Sequence, residues 1–222
     1  MRSTSLSGRL ILGAVVLAAA LASRASEQHI EISKSDAELR SDATICDITF
    51  VNSHAGWAVG ERGTIWHTSD GGMQWNTQEA PVDCTLHSVS FLDARTGWAA
   101  GGWTEPYTHI SRGEILRTAD GGKHWTKWSK DPLPRIKKIQ FFNRKDGIAL
   151  IAASPLYPHG LLVTTDGGQS WSAPPSDHTT RWECGDFESL TAGHLVGKNG
   201  FGKKSTHEDT WSAAEKRELR DT

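Results

Sequence analysis

The chain has 222 residues, 37% of them hydrophobic and 23% charged, which suits one or two soluble globular domains and excludes disorder throughout. Its 24 basic and 26 acidic side chains leave a formal charge of −2, so no overall positive field exists to hold a phosphate backbone, and nucleic acid is not an expected partner. Ten tryptophans are many for this size and are expected at recurring packed positions, where indole bulk is normally used.

From the N-terminus, Arg2 and Arg9 precede an apolar run, Leu10 to Ala22, followed by small residues in Ala22-Ser23-Arg24-Ala25. This is the layout of a secretory signal, and the run is too short to span a bilayer comfortably, which takes about 20 residues. Residues 1–25 are therefore read as a signal peptide and 26–44 as a linker, giving an exported protein of the periplasm, a thylakoid lumen or the extracellular space. No cysteine precedes Cys46, so no lipid-modified cysteine is expected at the cleavage site. The three cysteines, Cys46, Cys84 and Cys184, allow at most one internal disulfide in an oxidising compartment. The ten histidines lack metal-site spacing, so no metal or cofactor is expected.

Residues 45–211 are built from repeats. Phe50-x-Asn52-x-x-x-Gly56-Trp57-Ala58 recurs as Phe91-x-Asp93-x-x-x-Gly97-Trp98-Ala99 and as Phe141-x-Asn143-x-x-x-Gly147-Ile148-Ala149, with a worn copy from Phe187 to Gly193. A second element follows each of the first three: Thr68-x-Asp70-Gly71-Gly72-x-x-Trp75, Thr118-x-Asp120-Gly121-Gly122-x-x-Trp125 and Thr164-x-Asp166-Gly167-Gly168-x-x-Trp171. Its fourth counterpart, ending at Trp211, has lost the Asp-Gly-Gly, and 212–222 reads as a polar tail. Asp-Gly between short β-favouring segments signals a hairpin, with Gly taking positive φ and the carboxylate accepting backbone N–H groups. The Thr and Trp on either side are expected on the strands.

No segment shows a sustained 3.6-residue period, and each repeat holds about four short strands. Four strands in roughly 45 residues make one propeller blade, so the fold expected is an all-β propeller of about four blades. Four is the low end for closure, which leaves a tight ring, an open arc, or two arcs joined as a homodimer. In a four-membered ring the first and last repeats would adjoin, and Cys46 and Cys184 could then bridge.

The Asp-Gly-Gly-x-x-Trp turns resemble the Asp-box, or bacterial neuraminidase repeat. With the Phe-x-Asp-x-x-x-Gly-Trp-Ala lead-in they are similar to the photosystem II assembly and stability factor family of propellers. The resemblance implies an exported, non-catalytic protein that binds a membrane reaction-centre subunit during assembly.

Residues present in every repeat, Asp70, Gly72, Trp75, Asp120, Gly122, Trp125, Asp166, Gly168 and Trp171, are read as structural, so a site should lie in what does not repeat. From the Gly of the lead-in to the turn Asp the repeats take 14, 23 and 19 residues (Gly56 to Asp70, Gly97 to Asp120, Gly147 to Asp166). The longer two carry Trp103, Glu105, Tyr107, His109 and Arg112, and Tyr157 and His159, which are expected as loop residues contacting a protein partner, with a membrane protein among the candidates. The basic stretch from Lys123 to Lys145, notably Arg135, Lys137 and Lys138, is expected to assist through its charge. The alternative is an Asp-box glycoside hydrolase or a carbohydrate-binding module, for which Glu61, Glu105, Glu183 and Asp186 are available acids whose spacing selects no pair.

Overall fold

In a computed structural model, residues 42–175, 181–197, 200–204 and 212–214 are described. The signal segment, most of the linker and Trp211 lie outside them. Residues from Thr44 onward form one compact unit of four antiparallel sheets, each a meander of consecutive strands. The first holds β1 (Ile45–Phe50), β2 (Gly56–Gly60), β3 (Ile65–Thr68) and β4 (Asn76–Gln78). The second holds β5 (Leu86–Phe91), β6 (Gly97–Thr104), β7 (Ser111–Thr118) and β8 (Thr126–Lys127). The third holds β9 (Ile136–Phe141), β10 (Gly147–Ile151) and β11 (Leu161–Thr164), and the fourth β12 (Trp182–Ser189), β13 (Ala192–Gly197), β14 (Gly200–Lys204) and β15 (Ser212–Ala214).

The third sheet has three strands where four were expected. Only one bridge, Val163 to Ser172, stands for the fourth, because Pro174 and Pro175 follow and cannot donate to a ladder. The worn fourth repeat still makes all four strands, and β15 carries its sheet three residues past 211. Loss of the Asp-Gly-Gly therefore does not abolish the sheet.

The six-residue spacing from Phe to Gly has a direct cause. Phe50 and Gly56, Phe91 and Gly97, and Phe141 and Gly147 are cross-strand partners, and the Phe ring lies over the Gly. A Cβ at Gly97 would come 2.5 Å from the Phe91 ring, so a glycine is required beneath it. The residue two after the Phe closes the β1–β2 type of turn: Asn52 Oδ1 accepts from the N–H groups of His54 and Ala55, each at 2.8 Å, and Asp93 and Asn143 do the same in their turns.

The innermost strands β1, β5, β9 and β12 follow one another around the unit, and an apolar cluster fills each junction between sheets. At the first junction Trp57 stacks on Phe91, centroids 3.6 Å apart, and at the second Trp98 stacks on Phe141 at 3.7 Å. At the third, Ile148 takes the tryptophan's place against Phe187. Polar links run beside this stack: Ser88 Oγ and the Val89 N–H donate to Asp47 Oδ2, both at 2.9 Å, and Gln140 donates to the Phe187 carbonyl.

The four sheets form an open arc. Ile48 of the first sheet is 53% exposed, whereas its counterparts Val89 and Ile139 are 5% and 2% exposed. At the other end His194 and Val196 are exposed, although the residues at those two positions in the preceding sheets are buried. The condition for a Cys46–Cys184 bridge within one chain is not met, and both are free thiols at opposite ends of the arc, as is Cys84 between them.

Candidate binding groove

The Asp-boxes are loops of seven residues between β3 and β4 and between β7 and β8, longer than a tight hairpin turn. The Trp falls one residue before the outer strand, not on it. In the first, the Thr68 hydroxyl donates to Asp70 Oδ1 at 2.8 Å and accepts from the Gly72 N–H at 2.9 Å, while the Gln74 N–H donates to the carboxylate at 2.9 Å. Thr118 with Asp120 and Thr164 with Asp166 repeat this closely. Both glycines of each box have positive φ, 80° and 88° at Gly121 and Gly122, which no Cβ-bearing residue adopts cheaply.

Each internal box also receives the sheet before it. The Trp57 indole donates to the Gly121 carbonyl at 3.1 Å, and Trp98 to that of Gly167 at 3.0 Å. Gln78 and Trp128 supply a second donor to the same two carbonyls. The two recurring motifs are thus halves of one contact between neighbouring sheets. All nine repeated Asp-box residues sit in this framework and none lines the groove described next.

At the opposite end of the strands the loops differ from sheet to sheet. The β6–β7 hairpin extends well beyond its counterpart in the first sheet and is tied at its tip. The Glu105 N–H donates to the Ile110 carbonyl at 2.9 Å, and Arg112 Nε and the Thr108 hydroxyl donate to the Glu105 carboxylate at 2.7 and 2.8 Å. The Arg112 and Thr108 bonds hold the Glu105 carboxyl below its ordinary range. The β10–β11 loop is closed by reciprocal backbone bonds between Ser154 and Tyr157. Between them runs the connector from β8 to β9, pinned where the Gly113 N–H donates to the Leu133 carbonyl. A Cβ at Gly113 would come 2.3 Å from the Pro134 carbonyl, so only glycine admits the connector this closely.

These three segments enclose an open groove of about 860 Å3. Trp103, His109, Arg112 and Tyr157 line it, Trp103 and Arg112 as paired strand residues of β6 and β7 and not as the loop residues expected. Ile110, Leu133 and Leu156 line it too and were not anticipated; the Pro132-Leu133-Pro134 run in the connector was the available signal. The rim is unusually apolar for solvent: Leu156 is 82% exposed, with Trp103 and Ile110 also exposed. Tyr107, 95% exposed, stands at the hairpin tip outside the lining, and Glu105 is likewise outside it.

The remaining expected contact residues lie elsewhere. Tyr157 is half-buried and packs on the core between sheets two and three, so it is part floor and part framework. His159 lines a much smaller cavity with Leu161, Pro174 and Trp182, and its carbonyl accepts from the Trp182 N–H. Lys137 pairs with Glu183 and Lys138 donates to the Gly185 carbonyl at 2.7 Å, both bracing the third sheet to the fourth. Arg135 holds the connector: its N–H donates to Ser111 Oγ and its carbonyl accepts from Ala152. Lys127 pairs with Glu114 and Arg144 with Asp93, so the basic stretch is distributed over several contacts. Among the described residues no three His, Cys, Asp or Glu gather as metal ligands, and no helix is long and apolar enough to cross a membrane.

Repeated meander sheets of three or four strands, the first three joined through Asp-boxes, define an Asp-box protein of the β-propeller type. Residues 27–127 match the family described as "Photosynthesis system II assembly factor YCF48". The "Photosystem II assembly lipoprotein Ycf48" of Synechococcus sp. (strain CC9902) is 27% identical over 166 residues, 74% of this chain and 46% of that protein. The solved structure "YCF48 bound to D1 peptide" superimposes with a TM-score of 0.58 at 26% identity, covering 77% of this chain and 54% of that one. The xyloglucanase from Xanthomonas campestris, 13% identical with a TM-score of 0.58, shares the fold alone. The chain is similar to the photosystem II assembly factor-like family of Asp-box β-propellers, in its repeats and in its structure, and spans about half the length of the relatives it matches.

Proposed function

We propose that this chain is an exported, non-catalytic binding protein that holds an extended segment of a membrane protein in the groove between the second and third sheets, in the manner of an assembly factor. The observation that carries the reading is the cluster of exposed apolar side chains, Trp103, Ile110 and Leu156, along an open groove on the face where the described loops differ from sheet to sheet. Large aromatic and aliphatic groups on a rim are suited to anchoring a partner. The likeness to YCF48 bound to a D1 peptide supports a peptide of that class as the ligand. The signal-like N-terminus supports export to the periplasm or a thylakoid lumen. A second copy of the chain is the other partner in this reading, completing the arc.

Hydrolysis is the weaker reading because it calls for a pair of carboxylates, whereas of the two acids lining the groove Glu114 is held by Lys127 and only Asp131 is left without an ion pair among the described residues. The test is a titration of a fluorescent D1-derived peptide, run beside a glycan panel, with Trp103→Ala and Leu156→Ala as variants. Peptide binding that weakens about tenfold or more in both variants supports the groove. Peptide binding unchanged by either variant, or turnover of a glycan, overturns it.

A further inference from the structure

The arc ends in two faces that match the two halves of its own internal junctions. The leading face belongs to the first sheet, where Ile45, Ile48 and Phe50 are exposed although Leu86, Val89 and Phe91, and Ile136, Ile139 and Phe141, hold the same positions inside junctions. Phe91 and Phe141 each carry a stacked tryptophan and an edge-on one; Phe50 has only the edge-on Trp75, and its other face is open. The carbonyl of Gly71 is the counterpart of those of Gly121 and Gly167, each of which takes two donors, and among the described residues nothing donates to it. The seat for an aromatic N–H group is therefore built but unfilled.

The trailing face belongs to the fourth sheet. Position for position, His194 follows Phe187 as Trp57 follows Phe50 and Trp98 follows Phe91, and Val196 stands where Val59 and Ala100 stand. Trp57, Val59, Trp98 and Ala100 are buried against the next sheet, whereas His194 and Val196 are exposed. Histidine keeps the two features the seat calls for, a flat ring and a ring N–H donor.

We infer that the leading face of one copy seats the trailing face of a second, with His194 on the open face of Phe50 and its N–H directed at the Gly71 carbonyl, and Val196 against Ile48. This rests on the reading of a second copy as a partner and specifies where and how it docks. The same contact made in the other direction closes the assembly, so two copies complete one ring of eight sheets, within the range of known propellers. The junction between copies would then use the same strand positions as the internal junctions.

The test is sedimentation equilibrium of the full chain in density-matched detergent, with Ile48→Asp and His194→Trp. Ile48 is exposed in the single chain, so the aspartate leaves the fold intact, as thermal unfolding will verify, but would bury a charge in the junction. A mass of twice 24.3 kDa is expected for the native chain. Dissociation should be raised about 100-fold or more by Ile48→Asp and lowered about tenfold by His194→Trp, which restores the residue of the first two sheets. A native chain that stays monomeric to about 100 μM overturns both the inference and the reading it rests on. A dimer indifferent to Ile48→Asp, or not tightened by His194→Trp, overturns the inference and leaves the dimer standing. Masses that climb past two copies overturn it as well, because a contact that fails to close makes open chains.

Discussion

At the Asp-box end of the strands the first three sheets share one core of hydrogen bonds, whereas at the opposite end their loops differ from one sheet to the next. Thr68 with Asp70, Thr118 with Asp120 and Thr164 with Asp166 differ by no more than about a tenth of an ångström in their shared hydrogen bond. The hairpin after Thr104 and the loop after Ile151 share only their position. One end is spent on joining sheets, and its residues are fixed by their neighbours. The other is free to vary because the strands beneath it are already held, which is why a groove can be built there without loosening the arc.

The sharpest way to break that contrast is at the junctions. Trp98→Ala should remove about 3–5 kcal/mol of stability, since it leaves a cavity, loses the stack on Phe141 and removes one of the two donors to the Gly167 carbonyl. Urea unfolding followed by circular dichroism will measure it. Trp103→Ala, on the groove rim, should by contrast shift stability by no more than about 0.5 kcal/mol while weakening the peptide about tenfold. Equal effects from the two tryptophans in the same unfolding assay would erase the distinction between the ends.

The two tyrosines sharpen it further, because both occupy insertions yet only one packs on the core. Tyr107→Ala should leave the unfolding midpoint unchanged, and Tyr157→Ala should cost about 1–2 kcal/mol. Treating Tyr157 as a pure contact residue would therefore mislead a binding experiment unless stability is measured alongside.

Acid should act at the Asp-box end first. Burial opposes charge on Asp166, but the Ser170 side-chain and backbone bonds, with those from Thr164 and Gln169, outweigh it and lower its pKa from 3.8 to about 2. The His124 ring and N–H hold Asp120 below its ordinary value as well. A carboxyl with a lowered folded-state pKa contributes its stability above the unfolded value and loses it as pH falls through the folded one. Stability should thus decline between pH 3.8 and about 2, and Asp166→Asn should flatten that decline. The smallest effect concerns a thiol: burial first, then Glu114 and Asp83, push Cys84 up to about 11, so it should react with iodoacetamide more slowly than the exposed Cys184 at neutral pH.

What could be read in the sequence was what is local. Phe-x-Asn and Asp-Gly-Gly are short turns whose donors and acceptors lie within a few residues, so their chemistry shows in the spelling. The bond from Trp57 to Gly121 joins residues 64 apart, and the two motifs therefore look independent until the sheets are set side by side. The groove was half legible for the same reason. Trp103, His109, Arg112 and Tyr157 stand out as insertions, but Leu133 enters from a connector whose path depends on the absence of a side chain at Gly113. In the basic stretch Lys137 and Lys138 both reach the fourth sheet, a long-range contact that a count of charges does not reveal.

A junction that uses the same positions every time also has an evolutionary consequence. Any sheet can follow any other, so a gene of this kind can gain or lose whole repeats by duplication or deletion without redesigning a single contact. The number of sheets becomes heritable variation separate from the quality of each one. A short run of sheets is then a stable intermediate in such a history, provided its two ends find something to meet.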